Sequence, residues 1–83
     1  MAYRVEYKSS VVRDLRHLDG ALAERIMDEI EQVLACDPDI GEPLTGEFKG
    51  LNKFRVGDYR IIYAKSPSSI LILRIGHRKS VYR

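Results

Sequence analysis

The hydrophobic period of this chain changes once, near residue 50, and that change limits the folds open to it. From Ala21 to about Cys36 the apolar residues Leu22, Ala23, Ile26, Met27, Ile30, Val33 and Leu34 trace one broad stripe. Glu24, Arg25, Asp28, Glu29, Glu31 and Gln32 occupy the remaining surface. This is the pattern of an amphipathic helix that must cover a core. Beyond residue 50 the spacing becomes that of strands. Leu51 to Val56, Tyr59 to Ala64 and Ile70 to Ile75 are β-rich runs, parted by Gly57-Asp58 and by Ser66-Pro67-Ser68. Turn residues between such runs predict an antiparallel meander.

The remaining segments complete the outline. Tyr3, Val5 and Tyr7 alternate with Arg4, Glu6 and Lys8, which predicts a half-buried strand. Ser9 and Ser10 offer an N-cap to a short helix carrying Val12, Leu15 and Leu18, and Asp19-Gly20 stops it. Asp37-Pro38 ends the long helix. Pro38, Gly41, Pro43, Gly46 and Gly50 make residues 37–50 a long connecting loop. The expected fold is α+β in the order β-α-α-β-β-β, with two N-terminal helices packed on one face of an antiparallel sheet. At 83 residues the chain is expected to form one domain, 1–83.

Several functional classes drop out. The longest apolar runs are far too short to cross a membrane, and the first residues show no basic-then-apolar leader pattern. A single cysteine excludes an internal disulfide and fits a reducing, cytoplasmic setting. There is no Gly-rich phosphate loop, paired-cysteine spacing or HExxH motif, so neither metal nor cofactor is expected. Cys36 reads as a small packing residue at a helix end and His17 as an exposed one; neither is given a role in catalysis.

Charge is unevenly distributed. Residues 1–46 hold five basic residues against ten acidic ones, a net of −5. Residues 47–83 hold nine basic residues against two acidic ones, a net of +7. Segregation of this kind points to a polyanion-binding face, nucleic acid being the usual candidate. Within that half, a two-residue turn at Gly57-Asp58 would set Arg55 opposite Arg60 and Phe54 opposite Ile61. Lys53, Arg55 and Arg60 then share one face, with Phe54, Val56, Tyr59 and Ile61 on the other. Two arginines directly opposed repel, and a bound phosphate between them offsets that repulsion. The C-terminal run Arg74-Ile75-Gly76-His77-Arg78-Lys79-Ser80-Val81-Tyr82-Arg83 adds an imidazole, further cations and a phenol. An aromatic among cations suits single-stranded RNA, whose bases stack while its phosphates meet the charges.

The segment Lys53-Phe54-Arg55-Val56-Gly57-Asp58-Tyr59-Arg60-Ile61-Ile62-Tyr63, followed by Ile75-Gly76-His77-Arg78-Lys79-Ser80-Val81-Tyr82, resembles the core of the RelE/ParE toxin superfamily. The likeness runs nearly end to end, since the two-helix opening and the length also match. It implies the toxin of a toxin–antitoxin pair, a metal-independent endoribonuclease that cuts mRNA in the ribosomal A site and so inhibits translation. The implied partners are a cognate antitoxin, mRNA and the ribosome. By position Lys53, Arg55, Arg60, Arg78 and Tyr82 match the family's catalytic cluster; His77 joins them as a catalytic candidate on its own chemistry, and Lys49, Arg74 and Lys79 are further candidate RNA contacts. Arg60 and Arg78 would neutralise the phosphate, Tyr82 would stack on a base, and His77 could act as acid or base.

One position departs from the pattern. Arg55 stands where the best-known RelE branch has a lysine proposed as general base, and a guanidinium does not release its proton. Either that role falls to Lys53 or His77, or the nuclease activity is weak. Another branch uses a Glu–Arg–His arrangement, for which Glu47 is the nearest carboxylate considered. Two other functions share the fold: ParE-like inhibition of DNA gyrase without a nuclease site, and non-catalytic binding of RNA or ribosomes. The presence of Arg60, His77, Arg78 and Tyr82 favours the nuclease.

Overall fold

The computed structural model describes residues 2–79. Strand β1 (Arg4–Tyr7) leads into helix α1 (Ser9–Arg16) and helix α2 (Gly20–Glu29). After α2 come a π-helical turn (Ile30–Leu34), a 3₁₀ turn (Pro38–Ile40) and the two-residue strand β2 (Glu42–Pro43). A second 3₁₀ turn (Gly46–Phe48) precedes β3 (Asn52–Val56), β4 (Tyr59–Lys65) and β5 (Ser69–His77). The five strands lie in the order β1-β5-β4-β3-β2, antiparallel throughout except for β1, which runs parallel to β5 at the edge. Both helices face one side of this sheet, so the two-layer α+β arrangement expected from the sequence is the one observed.

The core lies between those layers. Val11 from α1, Ile26 from α2, and Ile30 and Leu34 from the π turn meet Val56, Ile61, Tyr63, Ile70, Ile72 and Ile75 from the sheet. Ile61 and Tyr63 on β4, and Ile70 and Ile72 on β5, alternate along their strands, as one buried face requires. Tyr3, Val5, Tyr7, Phe54 and Tyr59 extend the cluster outward. On α1 the basic residues Arg13 and Arg16 sit in the last turn, where they complement the helix dipole.

Four local expectations are corrected. Lys8 rather than a serine occupies the first N-cap, with Ser9 already helical and no side-chain cap bond. The long helix changes register before its end. Ala35 N–H bonds to Ile30 C=O at 2.8 Å, the i→i−5 pattern of a π turn. Leu34 and Ala35 take the last buried positions, leaving Cys36 exposed rather than packed. The sheet is not wholly antiparallel, because the helices carry the chain from β1 towards β2 at the opposite edge, and the β3–β4–β5 meander returns β5 beside β1 in parallel. Finally, residues 37–50 are an ordered connection, whose strand β2 pairs Glu42 with Lys53 and Pro43 with Asn52.

Candidate functional site

The β3–β4 hairpin has the register expected from its turn: Val56 faces Tyr59, Arg55 faces Arg60, Phe54 faces Ile61 and Lys53 faces Ile62. Gly57 has φ 59°, and among the described residues no non-glycine has positive φ. Positive φ at the first turn position alone is the type II′ pattern, which matches strand twist. Pleating then sends Phe54, Val56, Tyr59 and Ile61 to the helices and Lys53, Arg55 and Arg60 to the open face.

A β-bulge between β4 and β5 decides what joins them. Tyr63 pairs with Ile72 but Ile62 pairs with Arg74, so Leu73 is passed over in the register. One extra residue reverses which side chains face the helices. Arg74 therefore lies on the open face, in line with Lys53 and Ile62, and Gly76 lies opposite Arg60. Gly76 itself adds no side chain beside Arg60. Ile62 is 5% exposed and forms an apolar floor within this row of cations.

The same bulge turns His77 to the helix-covered face. It pairs with Tyr59 there, the ring centroids 5.6 Å apart and the planes at 81°. Lys79 N–H donates to His77 Nδ1 at 3.2 Å, so Nδ1 carries a lone pair and the ring proton is on Nε2. The fold thus separates His77 from Lys53, Arg55 and Arg60. Arg78 and Lys79 are exposed in the turn after β5, tied to the hairpin by the Arg78 N–H bond to Asp58 C=O at 2.9 Å. Lys49 is exposed after the second 3₁₀ turn. Tyr82 lies outside the described residues.

The open face is walled on one side by the 37–50 connection. Ile40, Gly41, Glu42, Lys53, Phe54, Arg55 and Arg60 line a groove of about 260 Å3. Glu42 Oε2 lies 3.8 Å from Lys53 Nζ, the lysine being the less exposed of the two. Arg55 Nε donates to Gly57 C=O at 3.1 Å, which aims that guanidinium along the hairpin. Glu42, not Glu47, is therefore the carboxylate of this groove. A two-residue strand has no periodicity to reveal it. The available signal was Pro43, which holds the preceding residue extended and so able to pair.

The connection is pinned from beneath. Tyr63, fully buried, donates its hydroxyl to Pro38 C=O at 2.6 Å. Burial raises the Tyr63 phenol above its ordinary range, while the Gly41 N–H directed at its oxygen works the other way. Lys65 pairs with Asp39 at the surface, and that bond raises the lysine. Chemically, the groove offers cations for a phosphodiester, a carboxylate able to accept a proton, and an ammonium able to return one.

A family model described as the ParE toxin of the type II toxin–antitoxin system parDE matches residues 5–82. Toxin RelE of Mycobacterium tuberculosis is 31% identical over 84 residues, spanning 98% of this chain and 87% of the relative. In the toxin–antitoxin complex RelBE2 from the same organism, a chain 28% identical superposes with a TM-score of 0.89, over 94% of this chain and 93% of that one. The archaeal RelE–RelB complex from Pyrococcus horikoshii gives 30% identity and a TM-score of 0.73, over 98% and 100% of the two chains.

Proposed function

The chain belongs to the RelE/ParE toxin family of type II toxin–antitoxin systems, and on that premise we propose that it is a metal-independent endoribonuclease cleaving mRNA in the ribosomal A site. One observation carries the reading: Lys53, Arg55 and Arg60 line a groove with a carboxylate, Glu42, and Arg74 lies on the same open face. Folding alone gives no reason to oppose Arg55 to Arg60, whereas a phosphate between them does.

The groove supplies each part of the reaction. Glu42 accepts the proton of the ribose 2′-hydroxyl, whose oxygen attacks the adjacent phosphorus. Arg55 and Arg60 hold and neutralise the charge that builds on the phosphate oxygens. The bond to the 5′-oxygen breaks, leaving a 2′,3′-cyclic phosphate and a 5′-hydroxyl. Lys53 gives the departing oxygen its proton, since an ammonium can release one and a guanidinium cannot. Arg74, Arg78, Lys79 and Lys49 hold the flanking backbone, Tyr82 stacks on a base, and His77 orders the C-terminal turn through Lys79. Residues 1–83 form one toxin domain around this site.

The cognate partner is an antitoxin. Relatives from M. tuberculosis and P. horikoshii were solved as RelB–RelE complexes. An acidic segment that folds on binding would neutralise the cationic face and cover the groove. Among the described residues no helix is long and apolar enough to cross a membrane.

The test is inducible expression with mapping of mRNA 5′ ends, for the native chain, Arg60→Ala and Glu42→Gln. New ends within codons, lost in both variants, are expected. Cleavage that persists at the native rate in Arg60→Ala overturns the site. The matched family description names ParE, so gyrase inhibition is the second reading. Loss of supercoiling by purified gyrase at stoichiometric protein, without mRNA cleavage, would establish it instead.

A further inference from the structure

Glu42 reaches the groove through a two-residue strand, and so short a strand cannot hold its own position. Its pairing with β3 is limited to Glu42–Lys53 and Pro43–Asn52. The support comes from the opposite side of the sheet. Tyr63 is fully buried in β4, and its hydroxyl donates to Pro38 C=O at 2.6 Å, at the start of the 3₁₀ turn before β2. Gly41, at the other end of that turn, passes directly beside the same hydroxyl, which a Cβ there would strike. One phenol therefore bonds one end of the turn that delivers Glu42 and packs against the other.

Gly41 completes the clamp by what it lacks. A Cβ there would stand 2.6 Å from the Lys53 carbonyl oxygen and would collide with the Tyr63 hydroxyl. Only glycine lets the chain pass this close to β3, and that closeness sets Glu42 beside Lys53. A second tether, the Lys65–Asp39 pair, is solvent-exposed and accordingly weak.

We propose that Tyr63 is a positioning residue, whose buried hydroxyl fixes β2 so that the Glu42 carboxylate stays within reach of the phosphate and of Lys53. The proposal rests on the reading of Glu42 as the proton acceptor. Removing the hydroxyl leaves the aromatic ring, and with it the core packing, in place. Pro38 C=O then loses its partner and the turn is released. A misplacement of about 1 Å at a reacting group costs roughly 100-fold in rate.

The experiment combines single-turnover cleavage of mRNA on programmed ribosomes with hydrogen exchange of the Leu44 amide, which bonds Leu51 C=O at 2.9 Å. Tyr63→Phe, Glu42→Gln and the double variant are compared with the native chain. Tyr63→Phe is expected to lower kcat about 10- to 100-fold with KM little changed, and to speed Leu44 exchange. The double variant is expected to cleave no more slowly than Glu42→Gln alone. Lys65→Met should leave cleavage near the native rate, and Gly41→Ala should reproduce the Tyr63→Phe defect. Multiplying defects in the double variant, or native cleavage by Tyr63→Phe, overturns the proposal. If Glu42→Gln cleaves at the native rate, or the native chain cleaves no mRNA, the functional reading fails separately. Leu44 exchange then decides: acceleration in Tyr63→Phe supports the clamp, and unchanged exchange overturns it.

Discussion

The two faces of the hairpin are made by alternate residues of the same two strands, yet they answer to opposite physics. Towards the helices stand Phe54, Val56, Tyr59 and Ile61, of which Ile61 is fully buried and Val56 nearly so. Towards the open side stand Lys53, Arg55, Arg60 and the nearly buried Ile62, with an arginine set opposite an arginine. The covered face gains from removing apolar surface from water. The open face concentrates like charge, which a fold by itself would avoid. Adjacent residues can therefore be assigned to stability or to function by which side of the pleat they take.

Neighbouring substitutions should separate the two faces most clearly. Arg60→Ala should lower mRNA cleavage about 100- to 1,000-fold, the usual loss for one donor to a developing oxyanion, while its melting temperature stays close to native. Ile61→Ala, one residue on, should cost about 2–5 kcal/mol of folding stability by opening a cavity. Thermal unfolding measured beside cleavage separates the two. A large stability loss in Arg60→Ala would show that the open face is structural after all. A smaller effect is expected at the turn joining the faces. Gly57 has φ 59°, and Gly57→Val should cost about 1–2 kcal/mol from the left-handed backbone alone, read as a lower denaturant midpoint.

How far these faces were legible in the sequence depended on how local their causes are. The β3–β4 register follows from a two-residue turn, so Arg55 opposite Arg60 could be read directly. The covering stripe of α2 was equally plain, because helical spacing is a local property. The bulge at Leu73 was not legible, since it depends on how β4 and β5 pair across the sheet. That single residue moves Arg74 to the open face and His77 to the covered one. Glu42 was missed for a related reason: its strand exists only through Lys53 and the Tyr63 clamp, both distant in sequence. The parallel β1–β5 pairing likewise depends on where the helices return the chain.

Salt should distinguish the faces by a smaller margin. RNA binding through phosphate contacts weakens with salt, with a log–log slope of about −0.7 per contact for single strands. Arg74→Ala should make that slope shallower by about one contact and weaken binding evenly across RNA sequences. Filter binding of a short RNA over a range of potassium chloride reads it. An unchanged slope would place Arg74 outside the interface, despite its row with Lys53 and Ile62.

The smallest effect is expected from alkaline pH, and it belongs to the covered side alone. Tyr7 on β1 directs its hydroxyl to Glu31 Oε1 on the π turn, at 3.4 Å. Burial first, then the Glu31 charge and hydrogen bond, together push its phenol up to about 12. The folded state thus holds the phenolic proton more tightly than the unfolded chain, whose tyrosines ionise near pH 10. Between about pH 10 and 12 the folded chain binds more protons, so stability falls as pH rises through that window. Below pH 10 the contribution is fully present. Tyr7→Phe should flatten this alkaline loss, leaving the part due to Tyr63, whose phenol burial also raises. Urea midpoints at pH 8 and at pH 11 measure the difference. If Tyr7→Phe loses as much stability as the native chain over that interval, the Tyr7–Glu31 link does not hold β1 to the π turn in solution.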